Sequence, residues 1–516
     1  MTIANILWAD DEIELLKPHL LFLKSKGYEV TPVTNGLDAL EEVKNTSFDL
    51  VFLDENMPGI SGLEALTRIK EISDVPVVMI TKNEEESIME EAIGSKIADY
   101  LIKPVNPNQI LLSIKKILDN KRLTSDKTNQ SYQQNFGQIG MALNDKMNFE
   151  EWVAMYRKLI YWELELDSAH DNQMGEILAM QKQDANHNWT RFIQDNYVKL
   201  LNANDPQGPV FSHQLMAKMV FPLLDQPEPV YFILIDNLRY DQWKIIQPII
   251  SDYCKVESDD VYMSILPTTT HYCRNALFAG LPPNEIERRF PSLWSNDEDE
   301  GGKNLHEEEF LKEHLKRVGK DVKTSYTKIT NLDNGKNLAE NITNLNTNKF
   351  NVIVYNFVDM LSHARTEMGV IKELAEDEPA YRSITKSWFE HSPLFEIIKK
   401  ITQKKVKIVI TTDHGSIRVK EPVKIIGDRN TTVNLRYKQG KNLNYEKKQV
   451  FELRNPADGL LPKPHVSSTF AFAFEDQFFA YPNNYNHYVN LYKNTFQHGG
   501  ISLEEMLIPM IVLSSK

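Results

Sequence analysis

Short runs of valine, isoleucine, leucine and phenylalanine recur in the first and last parts of the chain, and a polar residue follows each run. Within the first 119 residues these runs occupy residues 4–9, 28–33, 48–54, 75–81 and 98–102. Amphipathic stretches such as 35–45 and 62–71 lie between them. Uninterrupted apolar runs are typical of strands buried on both faces, and their alternation with helical patterns indicates βαβ units. The pattern predicts an α/β domain over residues 1–119 with a doubly wound parallel sheet of five strands.

The spacing of apolar residues becomes helical in the middle of the chain. A polar stretch at 119–135 has the composition of a linker or of an exposed helix end. From 147 to about 203, apolar residues recur at intervals of three and four, and Asn148 with Glu151 resembles a capping box. We therefore predict a central helical module over residues 120–228.

Strand-like runs return in residues 229–516 and predict a C-terminal α/β domain. Asp236 follows the run YFILI, Asp359 follows NVIVYNFV, and Asp413 with His414 follows KIVITT. In open parallel sheets, ligands bind in the crevice outside the carboxyl ends of the strands. Both α/β domains are thus predicted to carry a site at that edge.

The composition is that of a globular protein and argues against several other classes. A hydrophobic content of 41% and a charged content of 25% are ordinary for a globular protein. The net charge of −14 argues against a chain-wide surface for nucleic acid or anionic membrane. With two cysteines, no signal peptide pattern and no apolar run of roughly 20 residues, we expect a cytoplasmic protein without membrane insertion.

One local segment departs from the acidic balance of the chain. Residues 418–454 carry ten Lys or Arg against four Asp or Glu, with Tyr437 and Tyr445 among them. Most such charge runs are solvated faces. Beside a phosphate site, a role in binding a polyanion is the alternative.

Polar residues end four of the predicted N-terminal strands. Asp10 and Asp11 end the first strand, Asp54 the third, Thr81 the fourth and Lys103 the fifth. A cluster of carboxylates repels itself, so it predicts a divalent cation with oxygen ligands, for which Mg²⁺ fits best. The lysine and the threonine hydroxyl could hold the oxygens of a phosphoryl group on Asp54.

Residues 1–119 resemble the receiver domains of two-component response regulators in their DD pair, their DENMPG segment, their threonine and their Lys-Pro. The resemblance implies that Asp54 accepts phosphate from a cognate sensor histidine kinase and that phosphorylation drives formation of a homodimer. It also implies a set of Mg²⁺ ligands and a set of switch residues. These are Asp10, Asp11, Asp54 and the Asn56 carbonyl for Mg²⁺, and Thr81, Tyr100 and Lys103 for the switch.

The C-terminal part contains three carboxylates and three imidazoles at strand ends and in nearby motifs. They are Asp236, Asp359, His363, Asp413, His414 and His498. This is a plausible ligand set for two divalent ions, and Zn²⁺ suits mixed oxygen and nitrogen ligands. Two such ions bring four positive charges and three carboxylates bring three negative ones, so about one positive charge remains for a substrate oxyanion.

A nucleophile is predicted in the segment LPTTTHYCRN. Its three threonines at 268–270 open an apparent helix that ends at Gly280, and a helix N-terminus is also where a phosphate can settle. With the flanking motifs, residues 230–516 resemble the alkaline phosphatase superfamily and its PglZ branch. The resemblance implies that Thr270 is the nucleophile and that two zinc ions are bound. One ion would be held by Asp236, Thr270, Asp413 and His414, and the other by Asp359, His363 and His498.

A receiver, a helical module and a PglZ-type domain together resemble the PorX-type response regulators. The resemblance implies control of type IX secretion and phosphodiester cleavage, with a nucleotide or short oligonucleotide as substrate. Two alternatives are a phosphomonoesterase and a non-catalytic output that recruits a sigma factor or a secretion-system component. A complete ligand set with a threonine hydroxyl favours an enzyme, because a structural zinc needs no hydroxyl beside it.

Overall fold

The fold consists of two compact units. The structure is a computed structural model, and it describes residues 4–82, 97–169, 172–203, 205, 208–356, 358, 377–428 and 431–516. The first unit comprises Met1–Gln134 and Ser168–Asp171, and the second comprises Asn135–Asp167 and Asn172–Lys516. The predicted domain boundaries at 119 and 228 remain predictions.

The first unit contains a parallel five-stranded sheet. Its strands are β1 Ala4–Ala9, β2 Tyr28–Val33, β3 Leu50–Asp54, β4 Val77–Thr81 and β5 Asp99–Ile102. The order is β2-β1-β3-β4-β5 with every neighbouring pair parallel. The helices are α1 Lys17–Ser25, α2 Gly36–Asn45, α3 Gly62–Ile72 and the beginning of α4 Pro107–Asn144. The predicted five-stranded parallel sheet is confirmed, with β3 and β4 beginning two residues later than expected.

The strands of this sheet are apolar along their whole length because helices cover both faces of the sheet. One set of alternating side chains, including Leu7, Val51 and Met79, packs against the buried residues of α2 and α3. The other set, including Trp8 and Phe52, packs against α1 and the first turns of α4. Helices α2 and α3 begin at capped positions, where the side chains of Asn35 and Ser61 accept backbone hydrogen bonds. The polar ends of the strands therefore remain as the accessible edge.

Residues 135–167 and 172–228 of the helical module belong to the second unit. Helix α4 runs on to Asn144, so the polar stretch 119–135 lies within a helix, and α5 Phe149–Ala169 and α6 Asn172–Asn202 follow. The predicted capping box is confirmed: the Glu151 amide donates to Asn148 Oδ1 at 3.0 Å, and the Asn148 amide donates to Glu151 Oε2 at 2.8 Å. Trp152 and Trp189 meet edge to face, with ring centroids 5.6 Å apart.

A mixed six-stranded sheet forms the centre of the second unit. Its strands are β6 Val230–Ile235, β7 Cys254–Met263, β8 Thr324–Ile329, β9 Phe350–Tyr355, β10 Lys407–Thr411 and β19 Leu507–Ser515, in the order β7-β19-β10-β6-β9-β8. Strands β8, β9, β6 and β10 are parallel to one another, and β19 runs antiparallel to both of its neighbours, β10 and β7. After β6 the chain forms β7 and β8 at the two edges of the sheet, and then β9 and β10 on either side of β6. The carboxyl ends of the neighbouring parallel strands β6 and β10 open onto the kind of crevice where ligands bind in such sheets.

Helices flank this sheet and smaller sheets extend from it. The helices are α7 Tyr240–Ile250, α8 Thr270–Ala279, α9 Pro283–Arg289, α10 Glu307–Arg317, α11 Leu332–Asn341, α12 Glu378–Glu390, α13 Pro393–Ile401, α14 Tyr485–Tyr492 and α15 Leu503–Met506. The remaining strands are β11 Ile417–Arg418, β12 Glu421–Ile426, β13 Tyr437–Gly440, β14 Asn444–Tyr445, β15 Val450–Leu453, β16 Thr469–Ala473, β17 Gln477–Ala480 and β18 Phe496–Gln497. They form the sheets β11-β18, β14-β12-β17 and β13-β16-β15.

The C-terminal α/β prediction is confirmed. Among the residues described, no helix combines the length and the apolar character that a bilayer span requires.

Candidate functional site

The carboxyl edge of the N-terminal sheet brings together the predicted acidic residues. Asp10 and Asp54 are buried at 0% and 2% exposure, Asp11 is exposed, and ligand oxygens of the three lie within 4.8 Å of one another. Lys103 Nζ lies 2.8 Å from Asp10 Oδ2 and 3.0 Å from Asp54 Oδ2. Burial raises the pKa of the Asp54 carboxyl to about 6, and the Lys103 ammonium opposes that rise. Three hard oxygen donors in this arrangement fit Mg²⁺.

The predicted switch residues lie beside this cluster. Thr81 is buried at the end of β4, and its side chain is hydrogen-bonded to that of Tyr100 on β5. Asn56 is exposed in the loop that follows β3. A Cβ at Gly62 would collide with the Asp54 carbonyl oxygen, so helix α3 can start this close to the end of β3 only with glycine there. The sequence-predicted residues of this unit thus lie at the same end of the sheet.

The second site lies at the carboxyl ends of β6 and β10, which are neighbours in the six-stranded sheet. Asp236 follows β6, Asp413 and His414 follow β10, and Thr270 is the first residue of α8. Ligand atoms of Asp236, Asp413 and His414 lie within 4.8 Å of one another, and all three side chains are buried. Thr270 Oγ1 lies 3.0 Å from His414 Nε2 and 3.5 Å from Asp236 Oδ1. The hydroxyl therefore faces the group of candidate ligands directly.

The three threonines of the motif have different surroundings. The Thr268 hydroxyl donates to the Gly500 carbonyl at 2.9 Å and accepts from the Gly499 amide at 3.0 Å. Thr269 is 5% exposed, and its hydroxyl has no hydrogen-bond partner among the described residues. Thr268 thus fixes the loop behind His498, whereas Thr270 is the threonine that meets the candidate ligands.

His498 lies against this group of candidate ligands. The His498 ring stacks on the His414 ring with centroids 4.2 Å apart. Its Nδ1 lies 3.3 Å from the Thr268 carbonyl oxygen. Asp359 and His363 lie outside the described residues. The oxygen and nitrogen donors that are described fit Zn²⁺.

Arg274 is a site residue that the sequence analysis missed. It is fully buried, and its guanidinium forms ion pairs with Asp236 Oδ2 and, at 2.9 Å, with Asp413 Oδ2. Burial alone would raise the pKa of Asp413, but the guanidinium outweighs it and holds this pKa below its ordinary value. Thr270 and Arg274 stand four residues apart on α8, so one face of the helix presents both to the strand ends. That spacing in TTTHYCR is the signal that could have revealed Arg274.

Arg274 is connected to a further buried acid, Glu307 at the start of α10. Arg274 Nη1 lies 3.6 Å from Glu307 Oε1, and Lys328 Nζ lies 2.9 Å from Glu307 Oε2. The Tyr326 hydroxyl also donates to Glu307 Oε2. Acidic and basic side chains therefore alternate from the strand ends to α10. Because each charge has an opposite charge beside it, several ionised groups can be buried together.

The helical module contacts the segment that supports the candidate ligands. Asn186 on α6 donates to Glu504 Oε2 at 3.0 Å and accepts from the Leu503 amide at 2.8 Å. Lys182 Nζ lies 3.8 Å from Glu504 Oε1. A Cβ at Gly415, next to His414, would collide with the Glu504 carbonyl oxygen. Helix α15 is thus held between the module and the residue that follows His414.

The basic segment 418–454 is partly interior. Arg436 is buried and pairs with Glu505 through two hydrogen bonds of 3.0 and 2.6 Å. Lys438 is also buried, donates to the Thr432 carbonyl at 2.8 Å, and burial lowers its pKa to about 7. These two cations serve the packing of the segment and are not part of a basic surface.

Family models match three consecutive regions of the chain. Residues 6–115 match the response regulator receiver domain, and residues 122–201 match the PorX response regulator linker domain. Residues 215–513, more than half of the chain, match the BREX system PglZ alkaline phosphatase-like domain.

Three similar curated proteins match between 24% and 30% of the chain. The CpxR homolog of Haemophilus influenzae, a transcriptional regulatory protein, is 33% identical over 30% of this chain and 65% of its own length. Transcriptional regulatory proteins ZraR of Klebsiella oxytoca and ResD of Bacillus subtilis are 34% and 30% identical over 27% and 24% of the chain. The chain spans 31% of ZraR and 51% of ResD.

Two solved receiver structures were also matched. A CheY-like receiver domain protein of Methanospirillum hungatei is 27% identical, with 23% of this chain and 96% of that chain covered and a TM-score of 0.23. CheY4 of Vibrio cholerae is 28% identical, with 22% and 99% covered and a TM-score of 0.22.

Proposed function

Because the chain belongs to the PglZ alkaline phosphatase-like family and carries a response regulator receiver domain, we propose that it is a phosphorylation-controlled phosphodiesterase acting on nucleotides or short oligonucleotides. One observation carries the proposal: the Thr270 hydroxyl lies 3.0 Å from His414 Nε2 and 3.5 Å from Asp236 Oδ1. A structural metal site needs no hydroxyl at this position, whereas covalent phosphoryl transfer does.

The charge of the site supports a diester substrate. Three carboxylates and two divalent ions leave about one positive charge among the proposed ligands. A diester carries one negative charge at phosphorus and a monoester up to two.

The proposed zinc ligands are Asp236, Thr270, Asp413 and His414 for one ion and Asp359, His363 and His498 for the other. Bound there, the ions would lower the pKa of the hydroxyl and offset charge at phosphorus.

The reaction follows from the position of Thr270. Its Oγ forms a bond to phosphorus as the bond to the leaving oxygen breaks, the hydroxyl proton passes to solvent, and the leaving alkoxide takes up a proton. Water then attacks the phosphothreonine, which releases the phosphomonoester product and restores the hydroxyl. Arg274 keeps Asp236 and Asp413 oriented throughout, since it contacts one oxygen of each.

Turnover of two chromogenic substrates tests the proposed activity. The zinc-loaded protein should cleave bis(p-nitrophenyl) phosphate faster than p-nitrophenyl phosphate. A strong preference for the monoester would instead make the protein a phosphomonoesterase.

Asp54 is proposed to be the phosphoacceptor of a cognate histidine kinase, with Mg²⁺ bound by Asp10, Asp11, Asp54 and the Asn56 carbonyl. We expect acetyl phosphate to label the protein but not Asp54→Ala, because that carboxylate is the one flanked by both Asp10 and Lys103. Asp74→Ala, at an exposed loop position, is the matched control and should label normally. Full labelling of Asp54→Ala, measured by intact-protein mass spectrometry, would refute the assignment.

Control of the output is proposed to involve a phosphorylation-dependent homodimer. Beryllofluoride should therefore increase the sedimentation coefficient of the wild-type protein and not that of Asp54→Ala. A role in type IX secretion is also proposed, and the match to the PorX linker domain supports it.

Metal content is expected to be about two zinc equivalents per chain. His498→Ala should lower it, while His187→Ala should not, because His187 is an exposed residue paired with Glu475. Chelation should lower the Tm by roughly 5 °C or more, since ions that bind only the folded state stabilise it. Elemental analysis and thermal scanning measure both effects. Equal zinc contents in the two variants would contradict the assignment of His498.

A further inference from the structure

A groove of about 450 Å³ lies on the small sheet β14-β12-β17, outside the candidate catalytic site. Tyr445, Tyr485, Pro422 and Pro482 contribute apolar walls, and one cation, Lys424, and one carboxylate, Glu446, lie among them. The Tyr445 hydroxyl donates to Glu452 Oε1 at 2.7 Å, which fixes one edge of its ring. The groove thus combines flat apolar surfaces with a cation, and its volume is in the range of small-ligand sites.

Three exposed lysines outnumber the one carboxylate, Glu446, that lines the groove. Lys424 is exposed, and its Nζ lies 5.0 Å from the centroid of the Tyr485 ring. Lys447 and Lys448 are exposed on the segment that follows Tyr445. None of these three lysines has a carboxylate within 4.0 Å among the described residues, whereas Lys420 and Arg454 nearby are paired with acids. In a chain of net charge −14, this is a local concentration of unpaired cations.

We propose that the groove binds a single-stranded segment of an oligonucleotide substrate, with a base against Tyr445 and phosphates near Lys424, Lys447 and Lys448. This proposal rests on the proposed function of the catalytic site. Aromatic rings that stack bases beside lysines that follow the backbone are the usual means of binding single strands without sequence preference. The occupant is not expected to be an added peptide strand, because the edge strand β14 has two residues, Asn444 and Tyr445.

The groove and the catalytic site are close enough for one substrate molecule to reach both. His414 and Pro422 are eight residues apart, so their Cα atoms are at most about 28 Å apart. Strand β11 between them pairs with β18, which directly precedes His498. With a rise of at least about 3.4 Å per nucleotide, at most about eight nucleotides of a single strand cover the distance.

The test measures binding of a fluorescein-labelled oligoribonucleotide of about ten nucleotides to full-length Thr270→Ala protein, in which hydrolysis is avoided. Adding Tyr445→Leu should weaken binding about tenfold, because the ring is lost. Adding Tyr445→Phe should leave the affinity unchanged, because the ring remains. Adding Lys424→Ala should reduce the slope of log Kd against log salt by about 0.7, and the exposed Lys404→Ala should not.

Two outcomes would overturn the proposal that the groove binds a single strand. One is an unchanged affinity in both Tyr445→Leu and Lys424→Ala, and the other is equal competition by polyglutamate, which would make the region a general anion patch. Turnover of bis(p-nitrophenyl) phosphate by Tyr445→Leu with native Thr270 separates the two proposals. If the wild type has no diesterase activity but binding depends on Tyr445, the groove stands and the catalytic proposal fails. If turnover is normal and binding depends on neither Tyr445 nor Lys424, only the groove proposal fails.

Discussion

Thr270→Ala is expected to lower the diesterase kcat by about three orders of magnitude or more, because it removes a covalent nucleophile. Its zinc content should fall little, since Asp236, Asp413 and His414 remain within 4.8 Å of one another. Its fold should also persist, because Thr270 makes its contacts at the first residue of α8 rather than in the core. Steady-state kinetics, metal analysis and thermal scanning on the same preparation measure the three quantities.

Two neighbouring variants serve as controls for Thr270. Thr270→Ser keeps a hydroxyl at the same position and should retain measurable turnover. Thr269→Ala removes a buried hydroxyl that has no hydrogen-bond partner among the described residues, and it should leave kcat within a few-fold of wild type. Near wild-type activity in Thr270→Ala with loss in Thr269→Ala would reassign the nucleophile. An output that only recruits a sigma factor or a secretion component would show no turnover in any of the three.

Arg274→Ala should lower the free energy of unfolding of the zinc-free protein by about 3–5 kcal/mol. The substitution leaves Asp236, Asp413 and Glu307 buried without their common cation. Zinc should recover part of the loss, because metal ions would restore positive charge beside the first two carboxylates. Urea unfolding with chelator and with saturating zinc measures both values.

The control for Arg274 is Arg288→Ala. Arg288 pairs with Glu285 on the exposed side of α9, so its removal should leave the urea midpoint unchanged. Arg274→Lys keeps the charge but loses the planar fork that reaches two aspartates, and it should lie between alanine and wild type. If chelated Arg274→Ala were as stable as wild type, the guanidinium would not be what balances the buried acids.

The sequence predicted most of what depends on local pattern. Apolar runs gave the strands, and a polar residue after a run placed Asp54, Asp236 and Asp413 at the carboxyl edges of two sheets. These predictions succeed because a parallel sheet aligns its strand ends whatever the intervening sequence.

The sequence did not predict the ion pairs between residues that are far apart along the chain. Glu307 has the sequence context of a solvated helix charge, and only the packing of α8 and α10 against the strand ends buries it beside Arg274. Arg436 is likewise one of the ten basic residues in the segment 418–454. It is not available to a basic surface, because it pairs with Glu505, 69 residues away. A charge count along a segment carries no information about partners that come from elsewhere in the fold.

The contact of Asn186 and Lys182 with Glu504 joins two regions that family models treat as separate. A fragment cut to residues 215–513 would retain Asp236 and Thr270 but would leave the largely buried Glu504 carboxylate without its amide and ammonium partners. Glu504 lies in the helix that abuts Gly415, so the damage would fall next to His414. The region 215–513 is therefore not a unit that recombination could join to a foreign receiver domain without the helical module. A viable exchange would have to carry the helical module with it.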